Sequence, residues 1–102
     1  MELSVIIVNY NTIELLQKCI CSIKENSGDV NLEIIVVDNA SVDKSREIIP
    51  TLDVKYILCD ENLGFSKANN LGLKQATGKY VLFLNPDTLV LKGTLRRCVD
   101  FL

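Results

Sequence analysis

The sequence has 102 residues, 48% of them hydrophobic and 24% charged, which fits one small globular domain and argues against a disordered chain. A net charge of −2 without any basic block argues against nucleic acid as a partner. Because the apolar runs are far shorter than the ~20 residues of a membrane span, and nothing like a secretory leader precedes Val5–Val8, we expect a cytoplasmic protein.

Four apolar runs alternate with helical patterns, and the first run is Leu3–Val8. It is rich in Val and Ile and lacks polar alternation, which indicates a strand buried on both faces. A helix is predicted over residues 12–26, where apolar residues recur at helical spacing. Asn11 and Glu14 have the spacing of a capping box at the start of this helix.

The second run, Leu32–Val37, predicts another buried strand. A short helix should follow, with Ser41 as its N-cap and Pro50 at its end, because proline cannot continue a helix. The third run, Val54–Cys59, is weaker and more exposed in character, which suits a strand at the edge of a sheet.

The second half of the chain repeats this alternation. A helix is predicted over residues 66–76, and Thr77-Gly78 should end it. The fourth strand is Tyr80–Leu84, and a last helix is predicted from Lys92 onward. Because the helical pattern reaches Leu102 without a cap or a polar tail, we expect the chain to be part of a longer protein.

Strands that alternate with helices through short connections predict a parallel sheet with helices on both faces. We expect a three-layer, Rossmann-like α/β fold with four strands in the order 3-2-1-4. Strand four, Tyr80–Leu84, would then be an exposed apolar edge. Such edges invite pairing with another chain, so a homodimer through this strand is a further expectation.

All four strands are followed by side chains that bind polar ligands. Asp87 stands at the rim of the sheet, where it can hold a divalent cation that neutralises the phosphates of a nucleotide. Asp38 should have a free carboxylate, because Ser41 is expected to cap the next helix. Asn and Asp also form caps and turns, and this structural interpretation is favoured for Asn39, Asp60 and Glu61.

Several common binding motifs are missing from the chain. A dinucleotide-binding domain needs glycines after strand one, whereas this turn is Asn9-Tyr10-Asn11-Thr12, and no P-loop sequence occurs. A phosphorylated receiver domain would need acids where strand one offers only amides. The four cysteines lack zinc-site spacing and there is no histidine, so we expect reduced, mostly buried thiols.

A resemblance to a known family rests on the segments Val5–Asn11, Val36–Ser41, Asn62–Phe65, Asn69–Gly72 and Leu84–Thr88. In order and spacing they resemble the successive motifs of the family 2 glycosyltransferases over essentially the whole chain. The Asn85-Pro86-Asp87 variant is similar to that of the rhamnosyltransferase-like branch. The resemblance implies a GT-A fold and transfer of a sugar from a UDP or dTDP donor with inversion. Residues 1–102 would be the N-terminal, nucleotide-sugar-binding portion of such an enzyme.

The resemblance also implies roles for individual residues. The residues that would surround the nucleotide sugar are Asn9, Tyr10, Asn11, Asp38, Asn62, Gly64, Asn70 and Asn85. Within this set, Asp38 would accept a hydrogen bond from the N3–H of uracil or thymine. Asp87 would bind Mn²⁺ or Mg²⁺ bridged to the diphosphate, whose developing charge a metal stabilises.

Two features depart from the family pattern. Asn85 replaces the first acid of an Asp-x-Asp pair, so Asp87 is the only carboxylate of this motif. An inverting transfer also needs a carboxylate base, which the family places beyond residue 102. Asp100 lies in a helical pattern and is not a candidate. We therefore expect this chain alone to bind the donor without turning it over.

Two other functions stay open. A nucleotidyltransferase has a related topology, although it would need a glycine-rich basic loop after strand one. A non-catalytic nucleotide-binding fragment or assembly module is the other alternative. For the full-length enzyme, the resemblance implies a glycan or lipid-linked acceptor, cell-surface polysaccharide biosynthesis and a cytoplasmic location that allows peripheral contact with the membrane.

Overall fold

The computed structural model describes residues 1–101, in which strands and helices alternate. The strands are β1 (Leu3–Asn9), β2 (Leu32–Asp38), β3 (Lys55–Leu58) and β4 (Tyr80–Leu84). The helices are α1 (Ile13–Glu25), α2 (Ser45–Ile48), α3 (Phe65–Gln75) and α4 (Thr94–Phe101), and a 3-10 turn at Ile49–Thr51 follows α2. Every predicted strand and helix is therefore present, with its ends displaced by a few residues.

The four strands are parallel and lie in the order β3-β2-β1-β4, which confirms the predicted sheet. β1 lies in the centre, and all of its residues are buried. Its unbroken run of Val and Ile is the pattern that burial on both faces requires. β3 and β4 are the two edges, and β3 is the partly exposed strand that its composition indicates.

Helices cover both faces of the sheet and give the predicted three-layer arrangement. On one face, the apolar residues of α1 and α4 pack against side chains such as Val5. On the other face, Ala68 of α3 packs against Val37. Gly72 lets α3 lie close to β1, because a Cβ there would stand 2.6 Å from Cγ2 of Ile6. Burial of this apolar surface is the main source of stability, at roughly 25 cal/mol per Å².

A buried carboxylate joins several segments near the start of the strands. Glu33 of β2 accepts hydrogen bonds from Ser4 Oγ (2.5 Å), Thr77 N–H (2.6 Å) and Thr77 Oγ1 (2.9 Å). It also pairs with Lys55 Nζ at 2.5 Å. Burial alone would raise the pKa of Glu33, but the Lys55 contact and the hydrogen bonds outweigh it and lower the pKa to about 2. Glu33 is therefore ionised in the folded chain at neutral pH.

Candidate functional site

A cleft of about 330 Å³ opens at the carboxyl edge of the sheet. Its lining residues are Val8, Tyr10, Thr12, Asn39, Asn62, Phe65 and Pro86. Larger grooves of about 610 Å³ lie beside Glu33 and between α1 and α2. We place the candidate site in the smaller cleft, because the polar strand ends converge there and open α/β sheets bind ligands at this edge.

Two aromatic side chains line the cleft while remaining about half exposed to solvent. Tyr10 is 48% exposed and Phe65 is 58% exposed. Aromatic rings at such positions can stack on a planar base, which is worth roughly 1–3 kcal/mol per base in nucleic-acid complexes. Tyr10 is a predicted site residue, whereas Phe65 is not. The available signal for Phe65 was its position after Gly64, at the first residue of α3.

Asn39 also lines the cleft, although its sequence context favours a purely structural role. Its Oδ1 accepts the N–H of Leu63 at 2.8 Å. Asn62 behaves in the same way, since its Oδ1 accepts the N–H of Gly64 at 2.9 Å. In both side chains the oxygen is engaged and the NH₂ group remains as a donor. The cleft therefore suits a ligand that presents carbonyl oxygens.

Asp38 lies beneath the cleft, and its side chain is fully buried. Oδ1 accepts from Asn9 Nδ2 (2.9 Å) and Ser41 Oγ (2.6 Å), and Oδ2 accepts from the Ser41 N–H (3.0 Å). The expectation that Ser41 caps a helix and leaves this carboxylate free is therefore wrong. α2 begins only at Ser45, and the Ser41 hydroxyl bonds to Asp38 instead. A direct bond from Asp38 to a base stays a prediction, and this burial argues against it.

Asn9 is the register partner of Asp38 in the parallel ladder and is also fully buried. Its Nδ2 donates to Asp38 and to Ser45 Oγ (2.9 Å), and its Oδ1 accepts from Thr12 Oγ1 at 2.7 Å. That Asn9 lines the nucleoside site stays a prediction, and this burial argues against it, because its polar atoms are already bonded within the protein. Asn9 supports the cleft from below.

Asn11 joins the loop after β1 to the loop after β2. Its N–H donates to Ser41 Oγ at 2.9 Å, and its Oδ1 accepts the N–H groups of Val42 (2.7 Å) and Asp43 (3.3 Å). The predicted capping box is therefore wrong, since this amide bonds to another loop and the residue has a φ of +54°. The Ile13 N–H at the start of α1 donates to Asp43 Oδ2 instead, at 3.3 Å.

Arg46 is a residue of this region that sequence reasoning missed. Its Nη1 donates to the Cys59 carbonyl at 2.5 Å and lies 3.7 Å from Asp38 Oδ2. Its Nη2 lies 3.9 Å from Asp60 Oδ1, whose side chain is fully exposed. A buried carboxylate requires a nearby positive charge. The sequence alone therefore offered no signal for Arg46, because the burial of Asp38 is seen only in the structure.

The turn after β4 carries Asn85 and Asp87, and both side chains are exposed. The Thr88 N–H closes the turn on the Asn85 carbonyl at 3.0 Å, and Cys19 Sγ donates to the same carbonyl at 3.9 Å. Burial, and to a lesser extent the charge of Asp87, raise the pKa of Cys19 to about 11. Cys19 therefore stays a protonated thiol that supports the turn.

The residues at this turn fit only part of a metal site. Within residues 1–101, no three acidic or cysteine side chains are grouped to hold a metal ion. Asp87 would contribute one carboxylate to such a site, and the neighbouring Asn85 would contribute an amide oxygen. Such a donor set suits a hard cation that takes its remaining ligands from phosphate and water. Asn70 is exposed on α3 and is absent from the cleft lining, so its predicted role stays a prediction.

The sequence pattern of the family described as Glycosyl transferase family 2 matches residues 4–102. The chain belongs to this family. A relative from Bacillus subtilis strain 168, the minor teichoic acid biosynthesis protein GgaB, is 38% identical over 106 residues, which cover 98% of this chain and 12% of GgaB. The poly(ribitol-phosphate) beta-N-acetylglucosaminyltransferase TarS of Staphylococcus aureus is 32% identical, over 100% of this chain and 19% of TarS.

Two solved structures resemble this family 2 chain closely. S. aureus TarS 1-349 in complex with UDP-GlcNAc has a TM-score of 0.86 at 31% identity, covering 99% of this chain and 31% of that chain. The mannosyltransferase PcManGT from Pyrobaculum calidifontis, in complex with GDP-Man and Mn²⁺, has a TM-score of 0.78 at 27% identity. The match covers 97% of this chain and 30% of that chain. The predicted GT-A-like fold is thereby confirmed.

The family 2 chain spans less than half the length of the curated relatives named above, 12% of GgaB and 19% of TarS. Among residues 1–101, no helix combines the length and apolar character needed to cross a membrane. The rhamnosyltransferase-like branch and the homodimer through β4 stay predictions.

Proposed function

We propose that this chain is the donor-binding portion of an inverting glycosyltransferase that uses a nucleoside-diphosphate sugar. The observation that carries the proposal is the cleft at the carboxyl edge, where two aromatic rings and two amide donors line one space. UDP is favoured over dTDP as the carrier, because TarS, a relative of the same fold, is known in complex with UDP-GlcNAc. The sugar and the rhamnosyl alternative stay open.

The base of the donor would lie against Tyr10 and Phe65, which stack on its faces. Asn39 and Asn62 would donate to its carbonyl oxygens, because their own oxygens are already bonded to backbone N–H groups. Gly64 precedes α3 with a φ of +81°, a conformation that glycine adopts without strain. This turn places Phe65 at the cleft.

The diphosphate would extend toward the turn after β4, where Pro86 lines the cleft and Asp87 is the next residue. Asp87 would hold Mn²⁺ or Mg²⁺ there, with Asn85 beside it. When bound, the metal would neutralise the charge that develops on the leaving diphosphate. The complex of PcManGT with GDP-Man and Mn²⁺ is consistent with this role in the fold.

We assign no catalytic base within this chain. Asp100 pairs with Arg96, which also pairs with Glu2 at the opposite edge of the sheet, so Asp100 is remote from the cleft. The base and the acceptor site would lie in other parts of the full-length protein. Its acceptor would be a glycan or a lipid-linked molecule. A cytoplasmic enzyme of cell-surface polysaccharide synthesis fits relatives named for teichoic acid synthesis.

Titration calorimetry tests the proposal directly. We expect UDP to bind the chain more tightly with Mn²⁺ than with EDTA, and more tightly than dTDP. Asp87→Asn should abolish the difference between Mn²⁺ and EDTA, because it removes the only carboxylate of the turn. Asp29→Asn, a matched change on an exposed residue that pairs with Arg96, should leave the difference intact.

Three outcomes would contradict the proposal. Absence of UDP binding would contradict the nucleotide site. Binding that neither EDTA nor Asp87→Asn affects would contradict the metal role. Sugar transfer by this chain alone would contradict the claim that the base lies elsewhere.

A further inference from the structure

We propose that Arg46 is a positioning residue of the nucleotide site, which acts through Asp38 on the loop that carries Tyr10 and Asn11. The inference rests on the proposed function and adds a residue that touches neither the cleft nor the donor. It also assigns Asp38 to the support of the loop instead of to the base. A continuous series of contacts leads from α2 to the cleft.

The first contacts join α2 to the ends of two strands. The Arg46 guanidinium lies 3.7 Å from Asp38 Oδ2 after β2, and it bonds to the Cys59 carbonyl after β3. Its third neighbour is Asp60 Oδ1, at 3.9 Å. The Asp38 side chain is completely buried, whereas that of Arg46 is 36% exposed. Arg46 is thus placed to compensate a carboxylate that has no access to water.

The second contacts join Asp38 to the loop after β2. Both carboxylate oxygens accept from Ser41, one from its hydroxyl and one from its N–H. Oδ1 also accepts from Asn9 Nδ2. A side-chain amide in this place would turn one of the two oxygens into a donor, which could not accept from Ser41. The Arg46 guanidinium lies beside the same carboxylate, with Nη1 3.7 Å from Oδ2.

The third contacts reach the cleft. The Ser41 hydroxyl donates a hydrogen bond to Asp38, so its oxygen is oriented to accept the Asn11 N–H at 2.9 Å. Asn11 in turn holds the Val42 N–H, and its own φ of +54° is one that non-glycine residues rarely adopt. Tyr10 directly precedes this strained residue and lines the cleft. The position of Tyr10 therefore depends on the orientation of the Asp38 carboxylate.

A series of Arg46 variants tests this inference by calorimetry with UDP and Mn²⁺. We expect Arg46→Gln to weaken UDP binding about tenfold. The UDP affinity of Arg46→Lys should lie between those of Arg46→Gln and the parent. Lysine restores one charge but cannot reach Asp38, Asp60 and the Cys59 carbonyl together. Asp38→Asn should weaken binding as Arg46→Gln does, and the double variant should be no weaker than either, since both changes act on the cleft through the same series of contacts.

Arg96→Gln is the matched control, since Arg96 also pairs with several carboxylates but at the opposite edge of the sheet. It should leave UDP affinity unchanged, and equal weakening by Arg96→Gln would overturn the inference. Additive losses in the double variant, or an Arg46→Gln affinity equal to that of the parent, would do the same. If Arg46→Gln fails to fold, an Arg46→Lys affinity equal to the parent's overturns it. A parent that binds no UDP refutes the proposed function instead.

Amide chemical shifts give a readout that loss of stability alone would not produce. In folded Arg46→Gln, the Asn11 and Val42 amides should move, because their acceptors are Ser41 and Asn11. The Thr77 amide, bonded to Glu33 at the other edge, should not move. Unchanged Asn11 and Val42 shifts would overturn the inference.

Discussion

The N–H of Leu63 donates to Asn39 Oδ1 at 2.8 Å, and this bond decides which end of the Asn39 amide is available to a ligand. A backbone N–H can only be accepted by the amide oxygen, so the NH₂ group is the free end. Asn39 is 4% exposed and lines the cleft. A buried amide with a fixed orientation is a suitable element for selecting a base by its carbonyl oxygens.

Asn39→Ala should weaken UDP binding about tenfold, the equivalent of one hydrogen bond of roughly 1–1.5 kcal/mol. It should also lower the free energy of unfolding by about 1 kcal/mol, since the Leu63 N–H loses its acceptor. Calorimetry and urea denaturation measure the two effects. Asn31→Ala, the same change at an exposed residue before β2, should alter neither by as much. Equal UDP affinity in Asn39→Ala and the parent would argue against this donor.

Removal of either aromatic ring at the cleft should weaken nucleoside binding without destabilising the fold. Tyr10→Ala and Phe65→Ala should each lower uridine and UDP affinity about tenfold, because stacking on an aromatic ring contributes roughly 1–3 kcal/mol. Their unfolding free energies should change little, since about half of each side chain is exposed. Phe83→Ala is the control, as Phe83 is 48% exposed on β4 but absent from the cleft lining. If Tyr10→Ala and Phe65→Ala bind uridine as tightly as Phe83→Ala does, neither ring stacks on the base.

The stability of the chain should decrease in acid because of Glu33. Its pKa is about 2 in the fold and 4.5 as the ordinary value, so the ionised form is favoured by folding. The ionised Glu33 carboxylate therefore stabilises the fold fully above about pH 4.5. This contribution to the free energy of unfolding is lost progressively as the pH falls toward 2. The loss should amount to about 2–3 kcal/mol.

Urea denaturation at a series of pH values measures this effect. Glu33→Gln should remove most of the decrease between pH 4.5 and pH 2 and should be less stable than the parent at pH 7. Glu61→Gln, a change at an exposed acid, should keep the decrease. If Glu33→Gln loses as much unfolding free energy between pH 4.5 and pH 2 as the parent does, other carboxylates cause the acid destabilisation.

The cysteines should differ in their reactivity toward iodoacetamide. Cys19 is buried with a pKa raised to about 11, and Cys59 is buried with a raised pKa, so both thiols should resist alkylation in the folded chain. Cys21 is exposed on α1 and should react first. Peptide mass spectrometry after timed alkylation, with a urea-unfolded sample as reference, measures the order. Early alkylation of Cys19 would contradict its burial beneath the turn after β4.

Several features of the fold follow from local patterns. The unbroken Val and Ile of β1 indicate a central strand, and the weaker composition of β3 indicates an edge. The two helix caps that the sequence suggests are wrong, because Asn11 and Ser41 bond between loops that lie about 30 residues apart along the chain. Local pattern rules consider only neighbours in sequence, and these two side chains have partners elsewhere.

By itself, the amino-acid sequence determined the class of fold, the strand order and the edge of the sheet where polar groups collect. These properties follow from hydrophobic period, turn residues and the rules of parallel connection. Only the tertiary structure decided which of these polar groups line the cleft. The parallel register sets Asn9 beside Asp38, and the buried pair is then saturated by Ser41 and Ser45. Register and burial arise from contacts between distant segments, and they bury the Asp38 side chain and place Asn39 in the cleft lining.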